Sequence, residues 1–140
     1  MKSKRAAVAT LIFLGVITWA SCSMAAGSEI KWHSYEEGMA LGKKLGKKVF
    51  IDFYADWCGF CQMMERSTYQ DVSVISILNR DFIPVKVHSE EEQEIALRYD
   101  IRALPNVTFI SEDGTSIGSI PGYIPSDKLI EILEQVKKMG

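Results

Sequence analysis

The segment Val49-Phe-Ile-Asp-Phe-Tyr-Ala55 constrains this chain more than any other. It is apolar at nearly every position, not at every second one. So short and continuous a run reads as a strand buried on both faces, the pattern of a parallel sheet covered by helices on either side. The flanking sequence supplies those helices. Ser34-Tyr35-Glu36-Glu37 is a capping box that starts a helix at Tyr35, and Gly46 is placed to end it. Gly38 and Gly42 weaken this helix by about 1 kcal/mol each relative to alanine. The tandem Leu41-Gly-Lys-Lys and Leu45-Gly-Lys-Lys reads as a lysine-coated helix end and turn.

Downstream, a helix runs from after Cys58 through Arg66. Asp71 caps another, with Val74, Ile77 and Leu78 at helical spacing. Phe82–His88 reads as a strand and Glu90–Tyr99 as a helix with acids in its first turn, where the macrodipole favours them. Val107–Ile110 and Ser116–Ile120 are strands joined through an Asp113-Gly114 turn. Ser126 caps a last helix with Leu129, Ile130, Leu133 and Val136 on its apolar face. The order α-β-α-α-β-α-β-β-α describes an α/β sandwich with a mixed sheet, with no linker and no second domain.

The first residues change the arithmetic. Lys2, Lys4 and Arg5 precede Ala6–Ala20, which carries no charge, and small residues follow. A basic start, an apolar stretch and Ser23-Met24-Ala25 describe a secretory signal peptide at residues 1–25, cleaved after Ala25. Two alternatives share its consequence. The uncharged stretch to Ser28 is just long enough for an uncleaved membrane anchor, and Ala20-Ser21-Cys22 resembles the end of a lipoprotein motif. Each exports residues 26–140. Cleavage removes three basic residues and no acid, so a net charge of -2 becomes -5. No basic excess for nucleic acid exists. Cys22 leaves with the leader, and Cys58 and Cys61 remain.

Two cysteines at i and i+3 where a strand becomes a helix share one turn. The first sits at the helix N-terminus, where unpaired N–H groups and the dipole favour a thiolate, the reactive species. The second is close enough to form a disulfide with it. Other uses of the pair are weaker. A bridge closing so short a loop stabilises little. A zinc site needs more ligands, and His33 and His88 lack the spacing. A c-type haem needs histidine after the second cysteine, where Gln62 stands. Redox exchange needs no metal and no added cofactor, only an accessible Cys58 sulfur. Asp52 is the other informative position. It interrupts an apolar strand, and burial raises a carboxyl pKa.

Val49-Phe-Ile-Asp-Phe-Tyr-Ala-Asp-Trp-Cys-Gly-Phe-Cys61 resembles the active-site segment of the thioredoxin superfamily. The likeness extends from about Tyr35 to Lys138 and implies the thioredoxin fold. Tyr54–Cys58 and Ser67–Val74 look most like the C-terminal periplasmic domain of DsbD-type disulfide reductases. The resemblance implies that Cys58 is the nucleophile and Cys61 the resolving thiol. It implies that Asp52 helps move the Cys61 proton with Lys86 as its partner. It also implies a cis Leu104–Pro105 bond whose backbone pairs with substrate, and a late glycine at Gly122. Trp57 shields the site, and Gly59 and Phe60 set the turn and the redox poise, with Phe60 also placed to touch a partner. No histidine lies between the cysteines, which favours a reductant. Arg66 stands where many thioredoxins have proline, so the usual kink in the active-site helix is expected to be missing. The remaining residues get ordinary assignments: Met63 and Met64 to packing, Glu90–Glu92 to a solvated helix start, His33 and His88 to the surface or strand ends.

The expectation is an exported, periplasmic, monomeric thiol–disulfide oxidoreductase. It reduces disulfide-bearing proteins and draws electrons from a membrane donor of the DsbD type. The alternative is a non-catalytic binding module or chaperone with a static disulfide.

Overall fold

The computed structural model describes residues 29–139, so the leader, its cleavage site and Cys22 lie outside the described residues. Four strands form one sheet in the order β2-β1-β3-β4. They are β1 (Lys48–Tyr54), β2 (Phe82–His88), β3 (Asn106–Ile110) and β4 (Ser116–Pro121). β1 runs parallel to β2 and antiparallel to β3, and β3 is antiparallel to β4. The helices are α1 (Tyr35–Leu45), α2 (Gly59–Arg66), α3 (Val72–Asp81), α4 (Gln93–Arg98) and α5 (Ser126–Lys137), with a 3₁₀ turn at Thr68–Gln70.

The reading of β1 as doubly buried holds: Val49, Phe50, Ile51 and Phe53 are all within the core. Alternation splits them between two layers. Phe50 joins Phe82, Val107 and Phe109 against Met64, Tyr69, α3 and α5. Val49, Ile51 and Phe53 join Ile83, Val85 and Val87 under Met39 of α1 and Ala96 of α4. By the same alternation Asp52 of β1 and Lys86 of β2, which are register partners, share the α2 side of the sheet.

Local signals place most of the helices. Ser34 accepts from the Glu37 N–H while the Glu37 carboxylate accepts from the Ser34 N–H, and Gly46 closes α1 at φ 60°. The Asp71 carboxylate accepts from the N–H groups of Ser73 and Val74 at the start of α3. Three expectations need correction. α4 begins at Gln93, because the N–H groups of Glu91 and Glu92 turn back to the His88 carbonyl and hold Glu90–Glu92 in a turn. Ser126 does not cap α5. Pro125 occupies that position without a side-chain bond, and its carbonyl accepts from Leu129. The active-site helix does break without a proline. It stops at Arg66, where Ser67 leaves helical geometry and its hydroxyl bonds back to the Met63 carbonyl.

Gly38 and Gly42 have a reason that helix propensity hides. A Cβ on Gly38 would come 2.0 Å from Val85 Cγ2, and one on Gly42 would come 2.6 Å from Val49 Cγ2. Their bare backbone lets α1 lie against the β1–β2 surface. Gly38→Ala should therefore destabilise the protein by about 1–2 kcal/mol, the overpacking cost exceeding the gain in helix propensity. A urea midpoint at or above wild type would contradict this.

Candidate active site

β1 ends at the pole where α2 begins. The Cys58 N–H donates to the Ala55 carbonyl, and the Gln62 side chain holds the Asp56 carbonyl at 2.8 Å, which pins the intervening turn. Cys58 is the N-cap of α2, and its sulfur accepts from the Cys61 N–H at 3.2 Å. That is the place where a helix most favours negative charge. Cys58 and Cys61 are joined as a disulfide with Cα atoms 5.2 Å apart. Oxidised, Cys58 is only 4% exposed, less open than the sequence reading required, whereas its neighbours Trp57 and Phe60 are 68% and 59% exposed. The pair sits in a small apolar cluster with Ala55, Tyr54 and Leu104.

The Leu104–Pro105 bond is cis, and the Pro105 carbonyl accepts from the Gly122 N–H at 2.7 Å. Gly122 takes φ 95°, a conformation that L side chains rarely adopt. Trp57 Nε1 donates to Glu90, so the exposed indole is tied to the turn before α4. Trp57 and Leu104 border a cleft whose other wall is Ala96, Leu97 and Ile101.

Cys61 lines a small depression together with Glu65 and Lys86, and Lys86 leads to a buried charge. Asp52 is 2% exposed, and its Oδ1 accepts no hydrogen bond. Its Oδ2 lies 3.9 Å from Lys86 Nζ. Burial pushes the Asp52 carboxyl from its ordinary 3.8 up to about 6; the Lys86 charge opposes that rise, and the Tyr69 hydroxyl, which meets no strict hydrogen-bond geometry, opposes it less. The same burial lowers the Lys86 ammonium, and Asp52 pulls it back. Lys86 Nζ also pairs with the Glu65 carboxylate on α2 and lies over the rings of Tyr54 at 4.7 Å and Trp32 at 5.0 Å.

A family model described as a thioredoxin-like domain matches residues 35–137. The chain belongs to the thioredoxin-like family. It is 36% identical over 88 residues to a thioredoxin of Mycoplasmoides gallisepticum, covering 63% of this chain and 83% of that one. It is 28% identical over 112 residues to the thiol:disulfide interchange protein DsbD of Photorhabdus laumondii, covering 76% of this chain but only 19% of DsbD. The solution structure of a Thermus thermophilus thioredoxin superposes with a TM-score of 0.70 at 28% identity, covering 77% of this chain and 87% of that one. The fold is therefore the thioredoxin fold, and the protein is a thioredoxin-like thiol–disulfide oxidoreductase.

In this thioredoxin-like site the structure brings Cys58, Cys61, Asp52, Lys86, Trp57 and Leu104 to one end of the sheet. Glu65 was missed by the sequence reading, although it stands four residues after Cys61, one helical turn along. Tyr69 and Trp32 carried no comparable signal. Of the two places read for His88, the surface and a strand end, the structure gives the strand end. It is 9% exposed, packs edge-on against the Tyr54 ring, and has Nε2 3.5 Å from the Asp56 carboxylate. Among the described residues no group of three or more His, Cys, Asp or Glu side chains could hold a metal.

The raised Asp52 value has a consequence for stability. Between its unfolded value of 3.8 and about 6, the folded chain keeps a proton that the unfolded chain has lost. Stability therefore falls as pH rises through that window and levels off above it. The full effect is on the order of 3 kcal/mol. Asp52→Asn should be more stable than wild type at pH 7.5, by about 1–3 kcal/mol, with the advantage fading toward pH 4. Urea titrations of the oxidised proteins at both pH values measure this, and a difference independent of pH would contradict it.

Proposed function

We propose that this chain is an exported reductase of protein disulfides. The carrying observation is Cys58 as N-cap of α2, paired in a disulfide with Cys61. In the reduced protein the Cys58 thiolate attacks one sulfur of a target disulfide. A Cys58–target bond forms, the target S–S bond breaks, and the departing target sulfur takes a proton. Cys61 then gives up its proton and attacks the Cys58 sulfur. The mixed disulfide breaks, the second target thiol leaves, and the Cys58–Cys61 bond is restored. Two electrons have passed to the target. In this reading Asp52, whose carboxyl burial raises to about 6, takes the Cys61 proton, and Lys86, 3.9 Å away, steadies its charge.

The cleft between Trp57, Leu97 and Leu104 is suited to an extended target segment, with the backbone beside Pro105 as its edge. Gly59-Phe60 brings no histidine to stabilise the thiolate further, which favours reduction over oxidation. Export is supported by the basic start and the uncharged Ala6–Ala20 stretch. An exported reductant needs a dithiol donor at the membrane to reset its disulfide, and the similarity to DsbD supports a donor of that type. The cycle runs on the cysteine pair alone.

Insulin reduction driven by dithiothreitol tests the reading. The wild type should accelerate turbidity and Cys58→Ser should not, and equal rates would leave a static disulfide in a binding module. The Cys58–Cys61 potential tests the direction. A value near that of thioredoxin, about -270 mV, fits a reductase, and one near that of DsbA, about -120 mV, would reverse the assignment.

A further inference from the structure

The end of the domain remote from Cys58 has a distinct character. β1 and β2 start there, and α1, α3 and α5 finish there. Each helix ends in cations: Lys43 and Lys44 on α1, Arg80 on α3, Lys137 on α5 with Lys138 after it. Taken singly, these are ordinary partners for a helix C-terminus. Together they converge. Lys47 Nζ donates to the Arg80 carbonyl at 2.7 Å, and Lys137 Nζ pairs with Asp81 at 2.8 Å, so the three helix ends surround one shallow depression. The acids nearby are spoken for: Asp81 by Arg80 and Lys137, Glu134 by Lys137, Glu112 by Lys48, and Asp113 by its own turn. Among the described residues no salt bridge engages Lys43, Lys44, Lys47 or Lys138. Two large apolar side chains stand exposed among them, Leu45 at 53% and Met139 at 49%.

The opposite pole is acidic. Asp56, Glu90, Glu91 and Glu94 are exposed around the active-site end. The chain also comes into the domain at the basic pole. Asn79 holds it there, donating to the Glu29 carbonyl and accepting from the Lys31 N–H, both at 2.9 Å, one residue before Arg80.

We propose that this basic pole docks on an anionic phospholipid bilayer, with Leu45 and Met139 entering the headgroup region and Cys58 turned toward the aqueous side. Lysines attract the surface at close range, the exposed apolar pair adds contact, and the acidic pole is repelled. The chain is polarised so that an anionic surface gives it one orientation. The proposal rests on the export reading, since it supplies the reductase with a membrane to lie on.

The test uses the purified full chain and two kinds of vesicle, one of phosphatidylcholine alone and one with roughly a third phosphatidylglycerol. Co-sedimentation should be at least about tenfold stronger on the anionic vesicles and should fall with added salt. Lys43→Glu with Lys44→Glu should lose that preference, as should Lys137→Glu with Lys138→Glu, while insulin reduction in solution stays unchanged and shows both variants folded. Equal binding to both vesicles, or full preference in the charge-reversed variants, would overturn the proposal. Export is read separately, from the N-terminus and compartment of the protein in cells, so failure of docking and failure of export are different results.

Discussion

β1 has to be covered on both faces, and the way the chain covers it determines where each functional group sits. α1 and α4 take the face of Val49, Ile51 and Phe53, and α3 and α5 take the face of Phe50. To pass from β1 to the second face the chain must turn at the carboxyl end of the strand, and α2 starts immediately after that turn. Cys58 is the residue at the turn, so the fold delivers its sulfur to the positive end of a helix. Cys61 lies one turn in, within disulfide reach, and the cis Leu104–Pro105 loop closes the same end of the sheet.

The cost of the arrangement is concentrated at Asp52. A carboxylate inside an apolar strand is expensive, and here one oxygen has no hydrogen bond at all. The structure offsets this with one register partner, Lys86, which must also serve Glu65 and lies over aromatic rings. Removing the charge system in favour of apolar packing is often neutral or stabilising in buried sites. The charge system is therefore no strong source of stability, which agrees with the proton-moving role proposed for Asp52.

Much of this was legible in the residues. The continuous apolar run gave a doubly covered strand, the Ser34–Glu37 box and Asp71 gave two helix starts, and Phe82–His88 was read with the bounds observed. What stayed hidden depends on groups distant in the chain. Gly38 and Gly42 looked like weaknesses because their contacts, Val85 and Val49, are made across elements. Glu90–Glu92 looked like a first helical turn because acids favour that position, yet the His88 carbonyl captures the N–H groups of Glu91 and Glu92. The cis bond at Pro105 came only through resemblance, since most X–Pro bonds are trans. The tie of Glu65 to Lys86 joins two elements distant in the chain, and the aromatic rings around Lys86 have no sequence spacing that joins them.

The central claim is that the fold makes Cys58, and not Cys61, the ionised thiol of the reduced protein. Iodoacetamide alkylation of the reduced chain across pH 5–10, with each cysteine followed by mass spectrometry, measures this directly. The account predicts that Cys58 is modified first, with a rate profile whose midpoint lies below the ordinary thiol value of about 8.5. A Cys58 midpoint at or above that value, or Cys61 reacting as fast as Cys58, would contradict it.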